Sequence, residues 1–289
     1  MSSPLESTSI THTIRLADGA DLRVFEQGTG TPLLLISGLG GAAGYWAPCL
    51  PALTAQHRVI RLDQRGIGAS TRGTAFCSID QLADDCIAVM DHLAVQSAII
   101  VGHSTGGCIT QAIALRSPQH AKACVLTGTW AKPNRYMQEL FKLRKALLHS
   151  DPVAYAVSAT FFSHEPGWLN ANWSAFETAR AAAPVSKAAQ DIVSERIDAI
   201  MAFDRSSEVA KITAPVLNIG ARDDLIVPAF LQEEIATLMP ASTLHLLNDG
   251  GHFFPTTRCT LFTDAILRWL AQIRCADQRT CSLRLTAQK

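Results

Sequence analysis

Two periodicities alternate along the chain. Residues 11–16 and 22–26 alternate apolar and polar side chains around Asp18-Gly19, which predicts a two-stranded hairpin. The run 32–36 is continuously apolar, as expected of a strand buried on both faces. Residues 58–63, 98–101, 123–127, 215–219 and 242–247 read as further strands. Helix-like stretches fall between them at 46–53, 78–93, 108–116, 229–238 and 257–273. The first is broken up by Pro48 and Pro51; the second is apolar at 79, 82, 83, 86, 87 and 90, with Ser78 or Asp80 as its cap. Strands alternating with helices in this way predict an α/β protein whose mostly parallel sheet is covered on both faces.

That rhythm breaks between 130 and 209, where only helix-like pieces occur, at 136–148, 153–162, 172–182 and 187–201. Pro133, Pro152, Pro166 and Pro184 punctuate them. The interval 130–209 therefore reads as a helical insertion in a core made of 1–129 and 210–289. Residues 1–9 are expected to be loose and the polar tail 274–289 peripheral.

Composition narrows the classes. The net charge is zero and only 17% of residues are charged, which leaves no electrostatic footprint for nucleic acid or an anionic membrane. The first ten residues are polar with no apolar signal core, and no run is long enough to span a membrane, so a cytoplasmic location is expected. The eight cysteines are scattered without a C-x-x-C pair and read as small buried side chains in a reducing compartment, with Cys275 and Cys281 in the tail as the exposed candidates. There is no H-E-x-x-H and no clustered Cys/His spacing, so no metal is expected.

The candidate chemistry begins at Gly102-x-Ser104-x-Gly106, set between a strand and a helix. That is the context of a nucleophile elbow, where a tight turn holds a hydroxyl out at the strand's end and its flanks must be small. A serine hydroxyl needs a base to take its proton and an acid to orient that base. Both are expected on loops at the carboxyl ends of later strands. After 215–219 comes Gly220-Ala221-Arg222-Asp223-Asp224; after 242–247 comes Asn248-Asp249-Gly250-Gly251-His252. Of nine histidines, only His252 sits on a glycine-flanked loop at a strand's end. His103 adjoins the serine, but its side chain is expected to point away from the hydroxyl.

Taken together, Ser37-Gly38-Leu39-Gly40-Gly41 with Tyr45-Trp46, Asp63-Gln64-Arg65-Gly66-x-Gly68, Gly102-His103-Ser104-x-Gly106-Gly107, Asp223-Asp224-Leu225-x-Val227-Pro228 and Gly250-Gly251-His252 resemble the α/β-hydrolase superfamily over residues 10–273. Within it the chain is most similar to the pyrimidine-utilisation aminoacrylate/carbamate hydrolase-like group, with enol-lactonases and small-ester hydrolases nearly as close. The resemblance implies an eight-stranded sheet, a helical cap after the sixth strand at 130–209, Ser104 as nucleophile, and an oxyanion hole from the backbone N–H groups of Leu39 and Thr105. It departs from the family in carrying Ser37-Gly38 where relatives carry His-Gly, and in doubling the acid. Spacing counted back from Pro228 selects Asp224, which is favoured; counting forward from Gly220 selects Asp223.

The implied activity is cofactor-free hydrolysis of a small ester, lactone or carbamate-like substrate. Tyr45, Trp46, Trp130 and Phe253 flank the catalytic loops and suggest an apolar or planar substrate. Two other readings compete. The same fold serves cofactor-free oxygenases and binding or receptor modules. Gly38-x-Gly40-x-x-x-Gly44 after a strand, with Asp63 ending the next, also mimics a dinucleotide-binding fingerprint, although Pro48 and Pro51 stand where a clean helix must begin. The oligomeric state is left open, a homodimer included.

Overall fold

The computed structural model describes residues 9–286, with side chains to residue 275. Residues 1–8, most of the segment expected to be loose, lie outside the described residues, as does the Cys281 side chain. The eight strands are β1 (Ile10–Arg15), β2 (Asp21–Gln27), β3 (Thr31–Ile36), β4 (His57–Leu62), β5 (Ala98–His103), β6 (Ala121–Thr127), β7 (Val216–Ala221) and β8 (Thr243–Leu247). They form one sheet in the order β1-β2-β4-β3-β5-β6-β7-β8. The β1–β2 and β2–β4 pairs are antiparallel and all other neighbours are parallel.

Strand side chains alternate between two apolar layers, as the period of two requires. Leu34, Ile36, Ile60, Ile100, Cys124 and Leu126 enter one cluster, with Leu82, Val89 and Ile109 packed on it. Leu33, Leu35, Val59, Ile99, Val101 and Val125 enter the other, with Trp46, Phe262, Ile266 and Trp269. The first layer is covered by α2 (Ile79–His92) and α3 (Thr105–Arg116), the second by α1 (Leu50–Thr54) and α11 (Cys259–Thr286). Ser78 caps α2 by accepting from the Gln81 N–H at 3.0 Å.

Between β6 and β7 lie five α-helices: α4 (Arg135–Ser150), α5 (Pro152–Ser163), α6 (Pro166–Ala171), α7 (Ser174–Ala181) and α8 (Lys187–Ala202). Among the described residues this interval holds no strand. After β7 come α9 (Phe230–Leu238) and α10 (Phe254–Thr257), the latter a single turn just before α11.

Three places differ most from expectation. The stretch 46–53 is a 3-10 segment, Ala43–Cys49, followed by the short α1, because Pro48 and Pro51 cannot donate to helical carbonyls. What read as one helix at 172–182 is preceded by α6, whose start is capped by Glu165 accepting from the Gly167 and Trp168 N–H groups at 2.6 and 2.7 Å. The 257–273 helix breaks at Arg258, and its main part continues past 273 to Thr286. Among the described residues no helix is long and apolar enough to cross a membrane. Five cysteines (49, 77, 86, 108 and 124) are buried, Cys259 is half-buried and Cys275 is exposed.

The strand order reverses at β3, which lies between β4 on one side and β5 on the other. A crevice outside the carboxyl ends of β3 and β5 follows from this reversal, as in other open α/β sheets.

Candidate active site

Ser104 occupies the single residue between β5 and α3, in a backbone conformation of φ +56° and ψ −121°. A non-glycine residue with positive φ costs about 1–3 kcal/mol and persists only where surrounding contacts hold it. Here they do. The Ser104 N–H donates to the Thr127 carbonyl at 2.8 Å, pinning the turn to β6. The turn is closed so tightly that a Cβ on Gly106 would fall on the Ile36 carbonyl oxygen. On the other side the loop after β3 rests on the serine: a Cβ on Gly38 would stand 3.0 Å from the Ser104 Cβ. Leu39 and Thr105 follow Gly38 and Ser104 respectively, and among the described residues neither backbone N–H has an acceptor. For Thr105 this is the ordinary condition of a first helical residue.

The two later loops meet at the same crevice. His252 Nδ1 lies 2.7 Å from Asp224 Oδ2, and both side chains are almost wholly buried. The other carboxylate oxygen, Oδ1, accepts from the Ile226 and Val227 N–H groups at 2.8 Å each. Asp223 turns the opposite way. Its two oxygens accept from the Gly250 and Gly251 N–H groups at 3.1 and 2.9 Å, so it shapes the loop that carries the histidine and does not touch the imidazole. Ser104 and His252 line one cavity, of about 740 Å³. Among the described residues no hydrogen bond joins their side chains; such contacts often close only with substrate bound.

His103, the neighbour of the serine, lines the same cavity, with its ring 4.7 Å from that of His252 and stacked on Tyr45 at 5.1 Å. Complete burial, and next the neighbouring His252, push its imidazole well below the ordinary value, so it is held neutral. Among the described residues its Nε2 has no partner.

The four aromatic candidates divide. Tyr45 and Phe253 line the cavity, their rings 5.4 Å apart. Trp46 and Trp130 do not: both are fully buried. Trp46 stacks on Phe262 beneath the sheet and Trp130 sits in the opposite layer. Each indole is drawn inward by the apolar layer under its loop, a pull that proximity in sequence to a catalytic loop does not reveal.

Two arginines were not singled out by the sequence. Arg196, on α8, is fully buried and donates from Nε to the Leu39 carbonyl at 2.8 Å and from Nη2 to the Gly38 carbonyl at 3.3 Å and to Gln64 Oε1 at 2.5 Å. Gln64 in turn donates to the Ser37 carbonyl at 2.8 Å. Arg144, on α4, is 6% exposed and lines the cavity beside Phe141 and Tyr155. By contrast Asp63 and Arg65, which flank Gln64 in the sequence motif, serve the scaffold. Arg65 forks onto Asp85 at 2.6 and 2.7 Å and reaches Asp18 at 2.7 Å, and Asp63 accepts from the Ala43 N–H at 2.8 Å. Gly38-x-Gly40-x-x-x-Gly44 leads into a 3-10 segment and not a helix that could face a pyrophosphate. Among the described residues no three His, Cys, Asp or Glu side chains are grouped as metal ligands.

Residues 31–257 match the family model described as the alpha/beta hydrolase fold, most of the chain. The chain belongs to the α/β-hydrolase family. A protein of Azorhizobium caulinodans assigned as the carbamate hydrolase RutD is 32% identical over 255 residues, covering 88% of this chain and 96% of its own. Its namesake in Stutzerimonas stutzeri is 36% identical, covering 83% and 91%. Among solved structures, the enol-lactonase of Burkholderia xenovorans superposes with a TM-score of 0.81 at 22% identity, over 90% of this chain and all of that one, a likeness of fold. Family and relatives together support hydrolase activity for this α/β hydrolase.

Proposed function

We propose that the protein is a cofactor-free serine hydrolase that cleaves a small ester, lactone or carbamate-like substrate through an acyl-enzyme. The observation that carries this reading is the buried 2.7 Å contact between His252 Nδ1 and Asp224 Oδ2, on the cavity that Ser104 enters from its strained elbow.

In this mechanism Asp224 accepts a hydrogen bond from the Nδ1–H and so fixes the tautomer that leaves Nε2 free to act as base. His252 takes the Ser104 proton as Oγ attacks the carbonyl carbon, then passes it to the leaving group; water repeats the cycle on the acyl-enzyme. General acid–base transfer of this kind contributes about 10²–10⁴-fold. The Leu39 and Thr105 N–H groups receive the developing oxyanion, and the loss of one such donor costs about 10²–10³-fold.

Residues 130–209 act as a cap, whose Phe141, Tyr155 and Ile192 supply apolar lining to the cavity that Ser104 shares. Identity to relatives assigned as carbamate hydrolases favours a carbamate or a similarly small acyl compound. An organophosphonate probe should label the wild-type chain once, at Ser104, and should not label Ser104→Ala. Labelling that persists in the variant, or none in the wild type, rejects the assignment.

A further inference from the structure

The cavity that Ser104 and His252 share is apolar over most of its surface, and one permanent cation stands in its wall. Arg144 projects from α4 with its guanidinium carbon 4.8 Å from the centre of the Tyr155 ring and 5.6 Å from that of Phe141. The residue is buried and lines the cavity. Among the described residues no carboxylate, carbonyl or other acceptor bonds to it, and its Nε is buried without a partner.

That isolation is unusual in this chain. The buried Arg65 is held by two carboxylates, and the buried Arg196 by two carbonyls and an amide oxygen. Buried charges are as a rule paired, because desolvation penalises the ion and only hydrogen bonds and opposite charge offset it. Two aromatic faces attract a guanidinium but accept none of its N–H bonds. The donors that no protein group satisfies belong to a side chain in the cavity wall. Planar, bidentate recognition of a carboxylate is the task a guanidinium fork fits best.

We infer that Arg144 is the anion subsite of this cavity, and that the substrate carries a carboxylate, remote from the bond cleaved, which Arg144 binds. The proposal rests on the reading of Ser104 as nucleophile for what the cavity does, but its test does not require turnover. The body of such a substrate lies between Phe141, Tyr155 and Phe253, and its acyl carbon meets Ser104. Tyr155 and Phe141 hold the guanidinium in place while leaving its fork unused. Because they contribute no acceptor, the arriving carboxylate displaces no internal ion pair.

The test uses the full chain carrying Ser104→Ala, which cannot turn over an ester, and measures calorimetric binding of the monomethyl esters of succinate, glutarate and adipate against their dimethyl esters. For at least one length the free carboxylate should tighten binding about tenfold to a hundredfold, the range of a hydrogen-bonded ion. Adding Arg144→Met should abolish that difference between monoester and diester. Arg144→Lys, which keeps the charge but loses the fork, should retain only part of it and serves if the methionine variant does not fold. Monoesters that bind no tighter than their diesters at every length, or a preference that survives Arg144→Met, would overturn the proposal. Phosphonate labelling of Ser104 is read separately, so a failed anion subsite and a failed nucleophile give different results.

Discussion

The Nε–H of Arg196 donates to the Leu39 carbonyl at 2.8 Å, tying helix α8 to the loop that follows β3. The same guanidinium reaches Gly38 and Gln64, so one side chain meets three acceptors around the proposed oxyanion loop. Among the described residues the Ser37 Oγ has no partner of its own. The loop is held within itself by the Gly41 N–H donating to the Gly38 carbonyl at 3.0 Å, and from outside by Arg196 and Gln64.

Arg196→Met should therefore lower kcat about 10–100-fold, since a donor misplaced by a fraction of an ångström loses much of its effect on the transition state. KM should change little, because substrate contacts are untouched. Steady-state kinetics on a variant with an unchanged circular dichroism spectrum would read this. A rise in KM with kcat intact would place Arg196 in substrate binding instead.

The adjacent acids separate by role. Asp224→Asn should cost about 10³–10⁴-fold in kcat, because the amide cannot stabilise the imidazolium and favours the wrong tautomer. Asp223→Asn keeps an acceptor for one of the Gly250 and Gly251 N–H groups and should cost less than about tenfold. Comparable losses at both positions would mean that the loop, and not the ion, is what matters.

The two variants also mark how far the sequence could be read. The strands were legible because a parallel sheet buried on both faces leaves apolar runs such as 32–36, and the elbow because Gly106 abuts the Ile36 carbonyl. For the doubled acid, spacing counted back from Pro228 favours Asp224, the carboxylate beside His252, whereas the part Asp223 plays in bonding the Gly250 and Gly251 N–H groups leaves no trace in the sequence. Arg196 and Arg144 were invisible for a different reason. Each acquires its meaning from partners far away in the chain, Leu39 for one and an aromatic-walled cavity for the other. Trp46 and Trp130 failed in the reverse sense, standing beside catalytic loops in sequence but anchored in the two apolar layers.

Stability should fall as the medium is acidified from neutrality. His103 is held well below its ordinary 6.5 by burial, and burial also lowers His57 and His164. Below about pH 6.5 the unfolded chain takes up protons that the folded chain refuses, so the folded state is most favoured above that pH and loses ground beneath it. For one histidine kept neutral the loss is about 1.4 kcal/mol per pH unit. Asp204, held at about 2 by Lys132, loses its contribution only in much stronger acid, so the window from 6.5 to 5 belongs to the histidines. Urea midpoints at pH 7.5, 6.5 and 5.5 should show the decline, and His103→Gln should flatten it by roughly one proton's worth. An equally steep decline in that variant would contradict neutral burial of His103.

The central claim is that Ser104 is acylated during turnover. Rapid mixing of the protein with a chromogenic acetate ester should release one equivalent of alcohol per chain in a burst, with the acetyl group found by mass spectrometry on the peptide carrying Ser104. Ser104→Ala should show neither. A burst retained in that variant, or wild-type turnover with the acyl group on another residue, would contradict the account.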